Sequence, residues 1–274
     1  MSGEEWGAAV RLLWGPPTSP ARGPKRGLTL EGIAGAAGRI ADTQGLGGVS
    51  MQLVAGELGV TKMALYRYVP GKSELVALMV ESAMPEPLLL DEALAGADGW
   101  RGGLEVWARG LLAGFREHPW LLEATVGARV MGPKEIGWME RALVALDGCG
   151  LSGAEAMDTV VLVAGHVRGI AEQERAARGG ASDPGVTSGP DGTRGAYAES
   201  GAYAESGPDA ASGPDAMLGR VLGEVMREHG ERYPALCAAL ASVAEHGGQD
   251  QALEFGLERI FDGVGLLVER RTRG

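Results

Sequence analysis

Apolar residues recur every three or four positions along most of the chain, which is the period of one face of an α-helix. Near the N-terminus, Ile33, Ala37 and Ile40 form one such stripe, and Thr29 precedes it as a residue able to cap a helix. Further stripes predict a second short helix after Ser50, a third over Thr61–Tyr68 and a fourth over Lys72–Met84.

The rest of the chain keeps the helical period, and no sustained alternation of apolar and polar residues predicts a β-strand. Pro119 and Pro133 stand at predicted helix starts, where a missing amide hydrogen breaks no helical hydrogen bond. The predicted helices are Trp100–Glu117, Pro119–Met131, Pro133–Asp147, Ser152–Arg178, Met217–Glu228, Pro234–Glu245 and Gln249–Arg271. The predicted fold class is therefore all-α.

Two of these helices carry extended apolar faces. The helix that starts at Ser152 is predicted to turn one face inward, made of Met157, Val161, Ala164, Val167 and Ala171. The last helix has a stripe wider than a monomer's surface helix needs, which suggests burial against its own domain and against a second subunit. Its members are Leu253, Leu257, Ile260, Phe261, Val264, Leu267 and Val268. The sequence thus predicts a homodimer.

Composition changes abruptly over residues 179–216, where Gly, Ser, Pro, Asp and Ala dominate and the hexapeptide GAYAES occurs twice in tandem. Such a segment has too little apolar surface to offset the entropy of ordering, so it is predicted to be a disordered insertion. A recruitment loop read through Tyr197 and Tyr203 is the alternative. The predicted domains are a flexible arm (1–27), a short helical domain (28–84), a larger helical domain (85–178 and 217–273) and the insertion (179–216).

The net charge of −11 argues at first against a nucleic-acid partner, because phosphate binding favours a basic surface. Between Arg22 and Lys72, however, seven basic residues accompany three acidic ones, a local charge of +4. The acidity belongs to the rest of the chain. Prolines and basic residues at 15–28 predict an irregular arm before the first helix, while Trp6–Trp14 is predicted to be a loose amphipathic helix.

Two features of the sequence bear on where in the cell the protein is located. No run approaches 18 consecutive apolar residues, so no membrane span and no membrane partner are predicted. Cys149 and Cys237 lie far apart without a partner pattern, which fits a reducing cytoplasm. A cytoplasmic location is the expectation.

The most informative segment runs from Val49 to Leu75. Gly59 suits the positive φ of a helix C-terminus, and Thr61 is placed to cap the helix that follows. The outward face of that next helix would present Lys62, Met63, Tyr66, Arg67 and Tyr68. Cationic and aromatic side chains of this kind suit phosphates, base edges and thymine methyl groups in a major groove. A three-helix subdomain whose exposed aromatic residues contact another protein is the alternative.

This segment resembles the DNA-binding domain of the TetR/AcrR family. The resemblance is carried by Ala55-Gly-Glu-Leu-Gly-Val60 and by Leu65-Tyr-Arg-Tyr-Val-Pro-Gly-Lys72. The resemblance implies that residues at the start of the second helix contact phosphates or bases and that the third helix reads the bases. It also implies that side chains around the third helix bind the DNA backbone. The predicted DNA-binding residues are Ser50, Gln52, Thr61, Lys62, Met63, Tyr66, Arg67, Tyr68 and Lys72.

The C-terminal part resembles the tetracycline-repressor branch of the same family, through His118-Pro119-Trp120, Gly169-Ile-Ala-Glu-Gln173 and the segment from Phe255 to Gly263. The resemblance implies a helical-bundle domain that binds a ligand and dimerises through the long helix after Ser152 and the last helix. Tetracycline repressors hold their drug through magnesium and a histidine, and no histidine lies between Val130 and Pro133. Neither metal nor cofactor is therefore predicted.

Aromatic residues are scarce, yet several fall within 33 residues, on helices that line the ligand pocket of relatives. Large apolar side chains suit a ligand pocket, although they could equally fill a helical core. His166 is either a core or interface histidine or a ligand contact. The predicted ligand-binding residues are Trp107, Phe115, Trp120, Met131, Trp138, Met139 and His166.

Two classes of function follow. The first is a DNA-binding transcriptional regulator, a repressor released from a palindromic operator in double-stranded DNA by an apolar small-molecule effector. The second is a helical ligand-binding or scaffold protein whose helix-turn-helix does not bind DNA. No enzyme is predicted, because the chain lacks a Gly-x-Ser-x-Gly, a P-loop and a dinucleotide fingerprint.

Overall fold

A computed structural model describes residues 3–15, 28–180, 223–246 and 252–272, and every regular element in these parts is a helix. The helices are α1 (Gly3–Trp14), α2 (Leu30–Gly48), α3 (Met51–Glu57), α4 (Lys62–Tyr66), α5 (Lys72–Ala83), α6 (Pro87–Ala95), α7 (Gly99–Glu117), α8 (Leu121–Ala124), α9 (Pro133–Ala145), α10 (Gly153–Gly180), α11 (223–229), α12 (Pro234–His246) and α13 (Ala252–Thr272). The predicted all-α class is confirmed.

The helices α2, α3 and α4 form the N-terminal three-helix head around a small apolar core. Thr29 caps α2, and its hydroxyl oxygen accepts a hydrogen bond from the amide of Gly32. The core is built from the predicted apolar positions, with Ile33, Val54 and Leu65 fully buried. Helix α5 packs against α2 of this head and connects the head to the helices that follow in sequence.

The amphipathic helix predicted over Trp6–Trp14 is present, so the first half of the predicted flexible arm (residues 1–27) is helical. Residues 3–14 form helix α1, which packs against α5 and buries Ala9. At its end, the indole Nε1 of Trp14 donates a hydrogen bond to the carbonyl oxygen of Met131, at 3.0 Å. The apolar period of α1 was visible in the sequence, but the partner surface that orders the helix was not. Residues 16–27 lie outside the described residues.

The segment Pro119–Met131 differs most from its predicted helix. Only Leu121–Ala124 is helical, and residues 125–132 run without regular structure. Gly127 adopts a φ of +83°, which L-residues rarely adopt and which a helix cannot contain. Conversely, α6 lies between two predicted helices and was not predicted; Pro87 occupies its first turn, where a proline breaks no helical hydrogen bond.

The buried face of α10 is also different from the predicted one. Val160 and Val163 are buried together with the predicted Val167 and Ala171, whereas Met157 and Val161 are exposed. Because residues 160–163 are all apolar, the helical period does not determine which side of the helix faces inward. The predicted stripe on α13 is closer to the structure, with Leu253, Leu257, Phe261 and Val264 buried.

The chain forms two compact units, one of residues 1–168 and 260–274 and one of residues 169–259. In the second unit, a short 3-10 turn at Gly230–Arg232 links α11 to α12. The predicted insertion begins within the last residues of α10, and its remainder lies outside the described residues. Among the described helices, none has the length and apolar character needed to cross a bilayer.

Candidate DNA-binding surface and ligand pocket

The turn between α3 and α4 closes with a hydrogen-bond pattern typical of a helix C-terminus. Gly59 has a φ of +66°, which lets the Val60 amide reach the carbonyl oxygen of Ala55 at 2.9 Å. The Gly59 amide donates to the carbonyl oxygen of Gly56 at 3.1 Å. A side chain at position 59 would be strained, so this glycine fixes the angle at which α4 leaves α3.

The helices α3 and α4 both start with side-chain caps. The Ser50 hydroxyl oxygen accepts from the Leu53 amide, and the Thr61 hydroxyl oxygen accepts from the Ala64 amide, each at 3.2 Å. These two predicted DNA-binding residues therefore already have a structural function. Each hydroxyl keeps its own hydrogen, which is available for donation to a phosphate oxygen.

The predicted DNA-binding residues other than Ser50 are all exposed, on α3, on α4 and at the positions from Thr61 to Lys72, and this exposed set is called the reading surface. Met63 is 74% exposed, and the Lys62 ammonium lies 5.6 Å from the centroid of the Tyr66 ring, one helical turn away. The exposed members of this reading surface are Gln52, Thr61, Lys62, Met63, Tyr66, Arg67, Tyr68 and Lys72. Nearby, Arg39 pairs with Glu57 at 3.3 Å, which neutralises part of the positive charge of the head.

A carboxylate ties the head to the helices behind it. Oδ1 of Asp42, on α2, accepts a hydrogen bond from Trp120 Nε1 at 2.7 Å and lies 2.9 Å from His118 Nδ1. The indole of Trp120 is buried at this junction. The structure therefore places Trp120 against the head and outside the cavity described next.

A cavity of about 450 Å³ lies among the end of α5 and helices α7, α8, α9 and α10. Five of the seven predicted ligand-binding residues line it: Trp107, Phe115, Met131, Trp138 and Met139. The other two do not, since Trp120 bonds to Asp42 and the half-buried His166 lies outside the lining. A second concavity of about 640 Å³, between α6, α7 and α9, is lined by small aliphatic and charged residues and has no aromatic wall.

The aromatic wall of the cavity is connected to the end of α5. Trp107 Nε1 donates to the carbonyl oxygen of Trp138 at 2.9 Å, and Trp138 Nε1 donates to the carbonyl oxygen of Pro85 at 3.0 Å. Gly110 makes room for the indole ring of Trp138, because a Cβ at position 110 would lie 2.8 Å from Trp138 Cη2. A displacement of Trp138 would therefore act on Pro85, two residues beyond the end of α5.

Four polar side chains line the cavity, and sequence reasoning missed all of them: Thr125, Arg129, Glu135 and Arg168. Arg168 donates to the carbonyl oxygen of Leu122 at 2.6 Å and to the Thr125 hydroxyl. Arg129 pairs through both terminal nitrogens with the Glu135 carboxylate. Thr125 and Arg129 belong to the irregular segment that was predicted as helix, so their positions could not be read from the helical period.

A second tie joins α5 to the first turn of α9. Glu81 Oε1 accepts a hydrogen bond from the Lys134 amide at 2.9 Å, so a carboxylate of α5 caps α9. Desolvation raises the pKa of Glu81 above its ordinary value, although the amides of Lys134 and Glu135 act in the opposite direction. The tip of α5 is therefore held by α9 both here and through Pro85.

Family models match the chain in two places. The model described as bacterial regulatory proteins, tetR family, matches residues 27–79. The model described as tetracyclin repressor-like, C-terminal domain, matches residues 93–268. The first match contains the head and most of α5, and the second contains most of the cavity lining.

Related proteins and structures agree with these matches. The HTH-type transcriptional repressor DrrR1 of Streptomyces coeruleorubidus is 35% identical over 269 residues, 96% of this chain and 86% of that protein. An HTH-type transcriptional repressor of Mycobacterium tuberculosis is 28% identical over 168 residues, 59% of this chain and 64% of that protein.

The same fold occurs in apo ActR from Streptomyces coelicolor, with a TM-score of 0.63 and 21% identity over 91% of this chain and 99% of that chain. ActR in complex with actinorhodin gives a TM-score of 0.60 and 22% identity over 87% and 96% of the two chains. The predicted architecture of an N-terminal helix-turn-helix domain and a C-terminal helical domain is confirmed. The chain belongs to the TetR family and is a DNA-binding transcriptional regulator.

Proposed function

We propose that this regulator is a cytoplasmic repressor that binds a palindromic operator as a homodimer and leaves it when an apolar small molecule fills the cavity. One observation carries the proposal. Helix α5 begins at Lys72, a member of the reading surface, and ends at the cavity wall that includes Ala83, Met84 and Pro85. A single rigid element therefore joins the DNA contact to the ligand site.

The reading surface supplies the DNA contacts in this proposal. Lys62 is an exposed cation on α4 and Arg67 is an exposed cation at its C-terminal cap, while Met63 and Tyr66 offer apolar contact to thymine methyl groups and sugars. An arginine that binds guanine through two hydrogen bonds discriminates between bases, whereas a cation on phosphate strengthens binding to every sequence alike. Arg67 is the better candidate for the first role and Lys72 for the second.

An exposed apolar surface supports the homodimer. Val161 is 65% exposed on α10 although it also lines the cavity, and Leu162 beside it is exposed as well. Leu266 is exposed on α13, which an ion pair between Arg271 and Glu155 ties to the start of α10 at 2.6 Å. A second copy that covered these residues would bury them and close the outer side of the cavity.

Ligand binding would act on α5 through the two hydrogen bonds that hold its end, from the Lys134 amide to Glu81 and from Trp138 to Pro85. At 1.5 Å per residue, the 12 residues of α5 span about 18 Å, so a small tilt at the cavity becomes a displacement of the head. Dimeric helix-turn-helix proteins need half-sites about 34–36 Å apart or a multiple of this spacing, so such a displacement spoils the fit. The ligand shifts the population by its difference in affinity for the two states.

Fluorescence anisotropy on the DNA upstream of the protein's own gene tests the DNA-binding part. We expect tight, salt-dependent binding, a loss of tenfold or more in Arg67→Ala, and an unchanged affinity in Arg109→Ala, whose arginine lies on α7 paired with Glu105. Binding that is equally weak for this DNA and for random DNA, or an Arg67→Ala variant that binds like wild type, would favour the scaffold alternative.

A further inference from the structure

The polar groups of the cavity lining differ in how completely their hydrogen bonds are satisfied. Thr125 donates to the carbonyl oxygen of Leu121 at 2.6 Å and accepts from Arg168. Arg168 also donates to Leu122, and its guanidinium lies 5.3 Å from the centroid of the Phe115 ring. These two side chains therefore form a closed network that supports the wall.

Arg129 is different. Its two terminal nitrogens are occupied by Glu135, and both side chains are only 15% exposed. Its Nε, however, is buried and has no hydrogen-bond partner among the described residues. A buried N–H group without an acceptor is unfavourable and rare in folded proteins, so it marks a place where an acceptor is expected.

The surroundings of Arg129 define the rest of the ligand. Trp107, Phe115 and Trp138 line the cavity with aromatic rings, which pack best against flat apolar or aromatic molecules. The charge of Arg129 is already balanced by the Glu135 carboxylate, so the free donor calls for a neutral acceptor oxygen rather than for a full anionic charge.

On the basis of the function proposed above, we infer that the effector is a flat, mostly apolar molecule with a carbonyl-type oxygen that accepts a hydrogen bond from Arg129 Nε. Arg129 thereby determines ligand specificity. Its partner Glu135 stands in the first turn of α9, next to Lys134, whose amide binds Glu81 of α5. The polar end of the ligand is thus anchored where α9 holds α5.

A matched pair of probes tests this inference. Fluorene and fluorenone share one three-ring skeleton, and fluorenone adds a single carbonyl oxygen. Titration of the intact chain, followed by calorimetry and by the change in tryptophan fluorescence that ligand beside Trp107 and Trp138 should cause, gives both dissociation constants. We expect fluorenone to bind roughly tenfold more tightly, which is the usual net effect of one added hydrogen bond.

Variants assign the preference to Arg129. Arg129→Lys keeps a cation beside Glu135 but has no Nε donor, so the two affinities should differ by about twofold or less. Replacing Arg129 and Glu135 together by Met removes the donor without leaving a lone buried charge, and should give the same result. The control Arg109→Lys changes an arginine outside the cavity lining and should keep the wild-type preference.

The outcomes separate this inference from the proposed function. Equal affinity of the wild type for both probes, or a preference that survives in folded Arg129 variants, overturns the role of Arg129 and leaves the cavity as the ligand site. Absence of saturable binding by both probes would instead contradict the cavity itself, and with it the function proposed above.

Discussion

A methyl group added at Gly110 tests whether the aromatic wall controls the end of α5. The added Cβ would lie 2.8 Å from Cη2 and 3.1 Å from Cζ3 of Trp138, and real Cβ atoms essentially never come closer than 3.0 Å to another heavy atom. The indole is buried and bonded to Pro85, so it cannot swing aside freely. Gly110→Ala must therefore displace the ring, the helix or both.

The magnitude follows from two opposing effects. Alanine in place of glycine inside a helix stabilises it by about 1 kcal/mol, whereas overpacking a core costs about 1–3 kcal/mol. The matched control is Gly114→Ala, one turn further along α7, where nothing lies within 4 Å of the added Cβ. Gly114→Ala should gain about 1 kcal/mol, and Gly110→Ala should be about 1–3 kcal/mol less stable than this control.

Urea unfolding at one fixed protein concentration measures this difference, since a dimer's stability depends on concentration. Operator affinity measured alongside should fall in Gly110→Ala and stay at the wild-type value in Gly114→Ala. If both variants gain the same stability and bind the operator equally, Trp138 does not constrain the end of α5 and the proposed route of coupling is wrong.

Three further predictions concern the dimer, the acid dependence and the hydrogen bond between Asp42 of the head and Trp120. Val161→Arg should give a folded monomer in sedimentation, while Val144→Arg, an equally exposed position on α9, should stay dimeric; a dimeric Val161→Arg variant contradicts the proposed interface. The Arg271 hydrogen bond, with those of Ser152, lowers the pKa of Glu155 from 4.5 to about 2, so its contribution to stability is present above pH 4.5 and is lost as the pH falls toward 2. Glu155→Gln should therefore melt below the wild type at neutral pH, with a gap that narrows on acidification; a constant gap refutes this assignment. Asp42→Ala removes the acceptor of Trp120 and should cost about 1–3 kcal/mol of unfolding free energy while ligand-induced release of DNA weakens. Unchanged stability in urea unfolding would show that the hydrogen bond between Asp42 and Trp120 contributes little to the free energy of unfolding.

The head could be predicted in detail because its signals are local. Gly59 and the cap Thr61 lie within a few residues of the turn they define, and the structure uses both as predicted, while Ser50, after which a helix was predicted, caps α3. The apolar stripe of α2 likewise belongs to one helix with one buried side. Such features depend on neighbours in sequence, which the sequence displays directly.

The cavity could be predicted only in part, because its polar groups depend on distant neighbours. Arg129 lies in a segment whose helical period ends at the positive φ of Gly127, and its pairing with Glu135 requires that turn. Trp120 was grouped with the other aromatic residues, but Asp42, 78 positions away in sequence, holds its indole at the head. Four consecutive apolar residues at 160–163 concealed which side of α10 is buried.

Reciprocal titration tests the central claim, that a ligand in the cavity and the operator compete through α5. The test compound is one that quenches the tryptophan fluorescence of the protein and releases the wild-type protein from operator DNA. Coupling of this kind is typically 5–150-fold, and linkage requires operator-bound protein to bind the compound more weakly by the same factor. We predict equal factors in the two titrations. A compound that saturates the cavity with the same affinity in the presence and absence of operator would contradict the account.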